Sequence, residues 1–337
     1  MNIEHNKHLL AYNTFGIDTI AEEFVQINLE SELMELLHYA NKNQTALHII
    51  GGGSNILFVH DIKGLVLLNQ LKGMQIVYED KDIVHVKCMS GEVWHECVLW
   101  SVAKNYGGIE NLSLIPGTIG AAPIQNIGAY GVELKDVFVE LEAIHLRTLE
   151  KKIFTHQECA FAYRDSIFKT KEKGNYFILS VTMALSKQPI CKTTYGTIQQ
   201  EMNEMKVDAV SIKSVSDAVI RIRRSKLPNP AEIGNAGSFF KNPEITLVQF
   251  EQLKNTYEDL PSYDTVNGKK IPAAWLIEMC GWKGYRENDF GVHHKQALVL
   301  VNYQHAKGSD ILLLSEKIIS SVQEKFSIQL EREVNIW

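Results

Sequence analysis

The 337-residue chain has little cysteine and no cysteine pair with the spacing of a zinc or redox motif. Its five cysteines are an odd number without a C-x-x-C pattern, so the sequence predicts neither a disulfide framework nor a zinc knuckle. We expect reduced, buried thiols. They are Cys88, Cys97, Cys159, Cys191 and Cys280.

Long apolar runs and an excess of positive charge are also missing. No stretch approaches the roughly 18 apolar residues of a membrane span, and the first residues lack the apolar core of a signal peptide. The net charge is -6 and the isoelectric point is about 6.1. These features predict a cytosolic protein without membrane insertion and disfavour nucleic acid as its main partner. A basic cluster at Arg221, Arg223, Arg224 and Lys226 leaves a local site for a phosphorylated small molecule open.

The sequence has no internal repeat and no low-complexity tract. Hydrophobic residues make up 45% and charged residues 22%, which is ordinary for a folded globular protein. A chain of this length favours two or three domains. Apolar patterning predicts strands at 45–50, 56–59, 84–88, 137–146, 177–185, 297–302 and 328–334. It predicts helices at 92–106, around 215–222, and at 246–259, 273–280 and 309–326.

Glycine is clustered in two places. GGGSN follows the strand at 45–50, and six glycines lie between residues 107 and 131. GGGSN is not the dinucleotide fingerprint G-x-G-x-x-G, because an apolar strand and not a helix follows it, and it lacks the Lys of a P-loop. A loop of this kind lets backbone N–H groups approach a diphosphate, although tight turns alone remain an alternative for each glycine.

Histidine is plentiful, but its spacing does not indicate a metal site. His293 and His294 are adjacent, and His95 lacks a second histidine four residues later. We therefore predict no catalytic metal.

Five motifs occur in one order along the chain: GGGSNIL, IPGTIGAAPIQNIGAYG, YRDSIF, RRSKLPNP and GNAGSFFKNP. Together they resemble the UDP-N-acetylenolpyruvoylglucosamine reductases over nearly the whole sequence. The resemblance implies an α+β protein with an FAD-binding fold similar to vanillyl-alcohol oxidase and a C-terminal α+β substrate-binding domain. The implied domains are two FAD-binding subdomains, at 1–72 and 73–213, and a substrate-binding domain at 214–337.

The same resemblance implies the ligands and the residues around them. FAD is expected to be noncovalent, since Ser54 follows the glycines where some relatives carry a flavin-linked histidine. NADPH is the implied hydride donor and UDP-N-acetylglucosamine enolpyruvate the acceptor. The implied FAD-binding residues are Gly51, Gly52, Gly53, Ser54, Asn55, Pro116, Gly117, Thr118, Gly120, Ala121, Gln125, Asn126, Gly128 and Tyr130. The implied substrate-binding residues are Tyr163, Tyr195, Lys226, Asn242 and Gln296.

Three residues match the catalytic positions of the family. Arg164 is suited to bind the substrate carboxylate, because a guanidinium keeps its charge and binds in two-pronged geometry. Ser238 matches the proton donor, and Glu333 matches an acid that completes the enolate pocket. Without the resemblance, each has an ordinary alternative: an ion pair with Asp165, a turn serine, and a strand carboxylate paired with Arg332.

Two other functions are compatible with the fold. One is a flavin-dependent oxidase of sugars or alcohols that uses oxygen, and the other is a flavoprotein that binds a UDP-sugar without turnover. Retention of Arg164, Ser238 and Glu333 favours the reductase. The sequence does not decide the oligomeric state, and a monomer is compatible with it.

Overall fold

The structure is a computed structural model and describes residues 2–337. These residues form eight α-helices: α1 Glu30–Asn43, α2 Trp94–Ala103, α3 His156–Cys159, α4 Ile198–Glu204, α5 Ile212–Lys226, α6 Leu247–Thr256, α7 Ala273–Met279 and α8 Gly308–Phe326. Short 3-10 helices lie at Leu10–Tyr12, Glu110–Leu112, Ile119–Ala121, Leu134–Asp136 and Ile167–Lys169.

The strands in the same range are β1 Glu4–His8, β2 Ile20–Ile27, β3 Leu47–Ile50, β4 Ile56–Leu57, β5 Ile62–Asn69, β6 Met74–Glu79, β7 Ile83–Met89, β8 Gly128–Ala129, β9 Val132–Glu133, β10 Phe138–His145, β11 Lys151–Thr155, β12 Tyr176–Ser186, β13 Gly234–Asn235, β14 Glu244–Ile245, β15 Tyr263–Asp264, β16 Lys269–Lys270, β17 Arg286–Glu287, β18 Phe290–Val292, β19 Leu300–Asn302 and β20 Asn335–Ile336. The predicted α+β class is confirmed.

The chain divides into two compact units. The first contains the residues up to Lys7, together with 21–52 and 63–225. The second contains 8–20, 53–62 and 226–337. Two short early segments therefore belong to the same unit as the C-terminal third of the chain.

The first unit contains two larger sheets and the two-stranded sheet β8-β9. One has the strand order β1-β2-β5-β3, in which β3 runs parallel to β5 with Leu47 opposite Leu65. The other is antiparallel with the order β11-β10-β12-β7-β6. Helix α1 covers the first sheet with Leu33, Leu36, Leu37 and Ala40, which recur at helical spacing and are buried. This helix was not predicted from the sequence.

Strand β12 is buried on both faces, which its apolar alternation did not predict. Phe177 and Leu179 lie in the core that includes α1, whereas Val181 and Met183 lie in the core around α2. The pairing with β10 shifts register between Glu142 and Ala143, so a bulge near Leu179 moves the later side chains to the other face. This central strand joins the two cores of the first unit.

The second unit contains three small sheets, with the orders β13-β19-β18-β17 and β14-β16-β15 and the parallel pair β20-β4. Helices α6, α7 and α8 agree with the predicted helical regions to within three residues. The predicted strand at 328–334 is wrong. Ile328, Leu330 and Val334 are buried, but the segment forms only an isolated bridge, between Arg332 and Phe240, before β20 begins.

The cysteines are less uniformly buried than expected. Cys88, Cys97 and Cys159 are buried, whereas Cys191 and Cys280 are half-buried. The sulfur atoms of Cys88 and Cys97 lie 3.4 Å apart as free thiols. The thiol contact with Cys97, together with burial, raises the pKa of Cys88.

No helix between residues 2 and 337 has the length and apolar character needed to cross a membrane. Within the same range, no group of three or more His, Cys, Asp or Glu side chains is arranged to hold a metal ion.

Candidate active site

The glycine loop packs against a second loop within the first unit. A Cβ on Gly51 would lie 2.3 Å from Oγ1 of Thr118, and one on Gly52 would lie 3.2 Å from Cα of Gly117. Side chains at 51 and 52 would therefore separate the two loops. The structure brings together two of the segments that the sequence predicted to bind FAD.

The second loop is fixed through its backbone. The N–H of Ile119 donates to the carbonyl of Glu92, and the N–H of Gly120 donates to the carbonyl of Ser90, both at 2.8 Å. Ser90 is fully buried, and its hydroxyl accepts a 2.8 Å hydrogen bond from the Asn69 amide. Ser90 was not predicted from the sequence, because a single serine after a strand carries no recognisable pattern.

The loop between β3 and β4 keeps backbone donors available. The N–H groups of Gly52, Gly53 and Ser54 donate to no other group within residues 2–337. Consecutive N–H groups of this kind form anion-binding concavities. Gly53 also lies in the left-handed region, at φ 58°, where a Cβ would meet the Tyr12 carbonyl oxygen at 2.0 Å.

The remaining predicted FAD-binding residues continue along the second loop of the first unit. Pro116 and Ala121 are exposed, Gln125 is half-buried, and Asn126 is buried. The Asn126 amide donates to the carbonyl of Ala162 at 3.0 Å and to the Glu133 carboxylate at 3.1 Å. Asn126 therefore braces the loop against the segment that carries Arg164.

Arg164 sits in a tight turn of the first unit. Its φ is 53°, and Ala162 and Asp165 form a bridge around it. The guanidinium donates to the Gly128 carbonyl at 2.5 Å and lies 5.5 Å from the centre of the Tyr163 ring. A positively charged head is thus held beside the backbone of the predicted flavin loop, next to two further predicted site residues.

Tyr195 and Tyr130 are neighbours in the same unit. Atoms of the Tyr195 side chain lie 3.4 Å from the position of a Cβ on Gly131, and the residue is 47% exposed. The Asn111 amide links the two tyrosine segments, because it donates to the carbonyls of both Tyr130 and Lys192. Burial raises the pKa of Tyr130.

The second unit places Ser238 and Glu333 on adjacent segments of backbone. Gly237 has a φ of 69°, and the exposed Ser238 follows it. The N–H of Glu333 donates to the carbonyl of Phe239 at 2.8 Å, and Glu333 is half-buried. The Ser238 hydroxyl makes no hydrogen bond within residues 2–337 and is available to a ligand.

Asn55, at the end of the glycine loop, contacts the backbone segment that carries Glu333. The side-chain amide of Asn55 donates to the Glu333 carbonyl at 3.3 Å, and the N–H of Asn335 donates to the Asn55 carbonyl at 3.1 Å. The Arg332 guanidinium contacts Ser315 at 2.9 Å and Glu316 at 3.6 Å. Asn55 therefore helps to fix the backbone that carries Glu333.

The other predicted substrate-binding residues also lie in the second unit. Lys226 is the exposed last residue of α5. Asn242 accepts a 2.9 Å hydrogen bond from the N–H of Ala273, at the start of α7. Gln296 accepts one from Leu298 at 3.3 Å. Asn242 and Gln296 therefore have structural contacts in addition to any contact with a ligand.

Comparison with known proteins identifies the family. Residues 229–337 match the model of the UDP-N-acetylenolpyruvoylglucosamine reductase C-terminal domain, and residues 21–147 match an FAD-binding domain. A UDP-N-acetylenolpyruvoylglucosamine reductase of Amoebophilus asiaticus is 50% identical over 100% of this chain and 99% of its own. The chain belongs to the UDP-N-acetylenolpyruvoylglucosamine reductases.

Two further reductases extend the comparison. The protein of this name from Flavobacterium johnsoniae is 47% identical, with both chains fully covered. The crystal structure of the reductase from Thermus caldophilus superposes with a TM-score of 0.68 at 22% identity, covering 100% of this chain and 99% of that one. This second likeness supports the fold of the reductase family.

The first unit and the glycine loop fit the FAD that this family requires. The donors at Gly52, Gly53 and Ser54 suit the oxygen atoms of a diphosphate, since each is left without an acceptor between residues 2 and 337. Gly52 is exposed and has no side chain, which leaves its backbone accessible to a ligand.

Proposed function

We propose that the chain reduces UDP-N-acetylglucosamine enolpyruvate to UDP-N-acetylmuramate, for peptidoglycan synthesis, with bound FAD and with NADPH as reductant. The observation that carries this proposal is the 50% identity to a reductase of that name along the entire chain. We assign FAD binding to the subdomains at 1–72 and 73–213 and substrate binding to 214–337, which the two domain matches support. Because NADPH and nucleotide sugars are cytosolic metabolites, we assign the reaction to the cytoplasm.

When bound, FAD carries the two reducing equivalents of NADPH to the enolpyruvyl double bond. We assign to Arg164 the binding of the substrate carboxylate, onto which negative charge spreads during reduction. Its charge is permanent, and its hydrogen bond to the Gly128 carbonyl supports a fixed orientation. A preoriented cation stabilises developing charge without reorganising, and this accelerates the reaction.

We assign to Ser238 the delivery of a proton to the carbon beside the carboxylate. The exposed hydroxyl has no competing hydrogen bond within residues 2–337, which supports this role. Glu333 is assigned to the same pocket, where its side chain stabilises the enolate. The hydrogen bond between its backbone and Phe239 supports a fixed separation of the two segments.

An absorption experiment on the purified protein tests the proposal. We expect a flavin spectrum that NADPH bleaches under anaerobic conditions and that UDP-N-acetylglucosamine enolpyruvate then restores. A colourless protein that cannot be reconstituted with FAD would overturn the cofactor assignment. Restoration by oxygen but not by the enolpyruvyl compound would indicate the oxidase instead.

Tyr195 is assigned to the diphosphate of the substrate, so we expect Tyr195→Phe to weaken substrate binding. Loss of one hydrogen bond to a charged group costs about 1.5 to 3 kcal/mol, equivalent to roughly a 10- to 150-fold rise in the dissociation constant. The measurement is a titration of the flavin spectrum with substrate, and the rate of bleaching by NADPH should be unchanged. Tyr263→Phe is the control, since Tyr263 is similarly exposed at 53%. Equal affinities in all three proteins would contradict the assignment.

A further inference from the structure

Arg223 carries a charge for which the protein supplies no carboxylate. Among residues 2–337 its guanidinium makes no ion pair, and its Nε donates at 3.2 Å to the carbonyl of Leu114. Burial lowers the pKa of Arg223, and the charged or ionisable neighbours that also shift it are Tyr130 and Arg164. Arg223 is half-buried, a partly desolvated cation without a counterion is costly, and an anionic ligand would supply the missing charge.

The position of Arg223 depends on an unusual backbone conformation. Leu114 has a φ of 58°, in the left-handed region that a branched side chain rarely adopts. Such a conformation persists only where the surroundings enforce it. Here the N–H of Leu114 donates to Nδ1 of His95 at 2.9 Å. Because a backbone N–H can only donate, Nδ1 of His95 must be unprotonated in this arrangement.

A second contact fixes the same loop to the helix that carries Arg223. The hydroxyls of Ser113 and Ser216 lie 2.8 Å apart and are buried. Ser216 and Arg223 are seven residues apart on α5 and therefore lie on one face, two turns from each other. The loop at 113–114 is thus docked along one face of α5, with Arg223 at its end.

We propose that His95 is a positioning residue that, through Leu114, holds Arg223 towards an anionic oxygen of a bound ligand. This inference rests on the proposed function for the identity of that ligand, which is either FAD or the enolpyruvyl substrate. Both present anionic oxygens, and FAD is expected beside this loop because Leu114 lies two residues before the predicted flavin segment at Pro116.

The arrangement makes ligand binding sensitive to acid. The charged groups that face His95 are Glu96, Arg223 and Arg224. Burial lowers the pKa of His95 below its ordinary value of 6.5; Glu96 opposes this shift, and the two arginines assist it. The neutral ring is therefore favoured in the folded protein, and its hydrogen bond to Leu114 is present at neutral pH. As the pH falls through the lowered pKa, Nδ1 takes up a proton and the bond is lost.

The experiment compares His95→Asn with His95→Leu between pH 5 and 8. Asn keeps an acceptor near the place of Nδ1 that does not titrate, whereas Leu removes it. We measure the affinity of the apoprotein for FAD by fluorescence quenching, and that of the flavin-loaded protein for UDP-N-acetylglucosamine enolpyruvate by spectral titration. We expect His95→Leu to bind one of these ligands about 3- to 10-fold more weakly at pH 7.5, as for one lost hydrogen bond. At pH 7.5 His95→Asn should bind the ligand with the affinity of the parent. At acid pH it should not show the fall in affinity that the parent shows.

Arg223→Gln identifies the ligand, because it should weaken the same ligand as His95→Leu and to a greater extent. His145→Asn is the matched control: Nδ1 of His145 also accepts from backbone N–H groups, of Arg147 and Thr148, but no contact joins it to Arg223. The inference is overturned if His95→Leu binds both ligands like the parent, or if His95→Asn retains the parent's acid profile. If His95→Leu does not fold, the dependence of ligand affinity on pH in His95→Asn still tests the inference. If the parent protein binds both ligands but does not catalyse the reduction, the proposed function alone is refuted.

Discussion

Ser238→Ala is expected to separate the two halves of the catalytic cycle. The variant should contain FAD and should be bleached by NADPH at nearly the parent rate, because that step requires no proton from Ser238. Return of the flavin colour on addition of UDP-N-acetylglucosamine enolpyruvate should become about 10² to 10⁴ times slower, the usual contribution of general acid catalysis. Stopped-flow absorbance after each addition measures the two rates separately.

The slower reoxidation of Ser238→Ala can be assigned to the missing hydroxyl, because that group has no structural hydrogen bond in the described part of the chain. The Ser238 hydroxyl makes no hydrogen bond within residues 2–337, so its removal should leave the fold and stability of the second unit intact. Ser309→Ala is the control, since Ser309 also makes no side-chain hydrogen bond in that range. Cysteine at position 238 should restore part of the rate, because a thiol can also donate a proton. Reoxidation of Ser238→Ala within a few-fold of the parent would move the proton donor to Glu333 or to water.

The sequence predicted a helix or strand well where the buried residues recur at the spacing of the element that forms. Helix α8 carries buried residues at helical spacing, among them Ile311, Ser315 and Ile318, and was predicted to within one residue. The segment at 328–334 shows the opposite case. Its alternating apolar residues are buried by tertiary packing, but apart from one isolated bridge the segment does not pair with a neighbouring strand of the described chain through backbone hydrogen bonds. Alternation indicates which side chains are buried and does not show that a strand forms.

The candidate site was accessible to sequence reasoning only in part. Glycine clusters and family motifs indicated the two loops, because backbone approach leaves a compositional trace. Ser90, Asn111 and His95 were not predicted as supporting residues. Each makes a hydrogen bond to a group distant along the chain, such as the bond from Leu114 to His95 across 19 positions. Their roles depend on tertiary placement, for which a single sequence contains no local pattern.

Gly52→Val, in the loop assigned to the FAD diphosphate, should purify without flavin. Gly52 is exposed and lies outside the left-handed region, and the nearest atom to a new Cβ is Cα of Gly117 at 3.2 Å. The valine side chain would push the glycine loop away from Gly117 and so displace the backbone donors at 52–54 from the diphosphate. Loss of two hydrogen bonds to charged oxygens costs about 3 to 6 kcal/mol, equivalent to roughly a 10²- to 10⁴-fold weaker affinity. The flavin absorbance relative to protein absorbance, and the FAD affinity of the apoprotein, measure the effect.

Gly53→Ala provides the contrasting variant, because its Cβ would meet the Tyr12 carbonyl oxygen at 2.0 Å and disturb the packing of the loop itself. Gly174→Ala shares the positive φ of Gly53 but has nothing within 4 Å of the new atom, so it isolates the conformational cost of about 1 to 2 kcal/mol. We expect Gly53→Ala to lower the thermal unfolding temperature of the apoprotein more than Gly52→Val does, because its new Cβ meets backbone more closely, although Gly52→Val loses FAD. A folded Gly52→Val protein with normal flavin content would place the diphosphate elsewhere. A Gly52→Val apoprotein as unstable as Gly53→Ala would assign the flavin loss to misfolding of the loop.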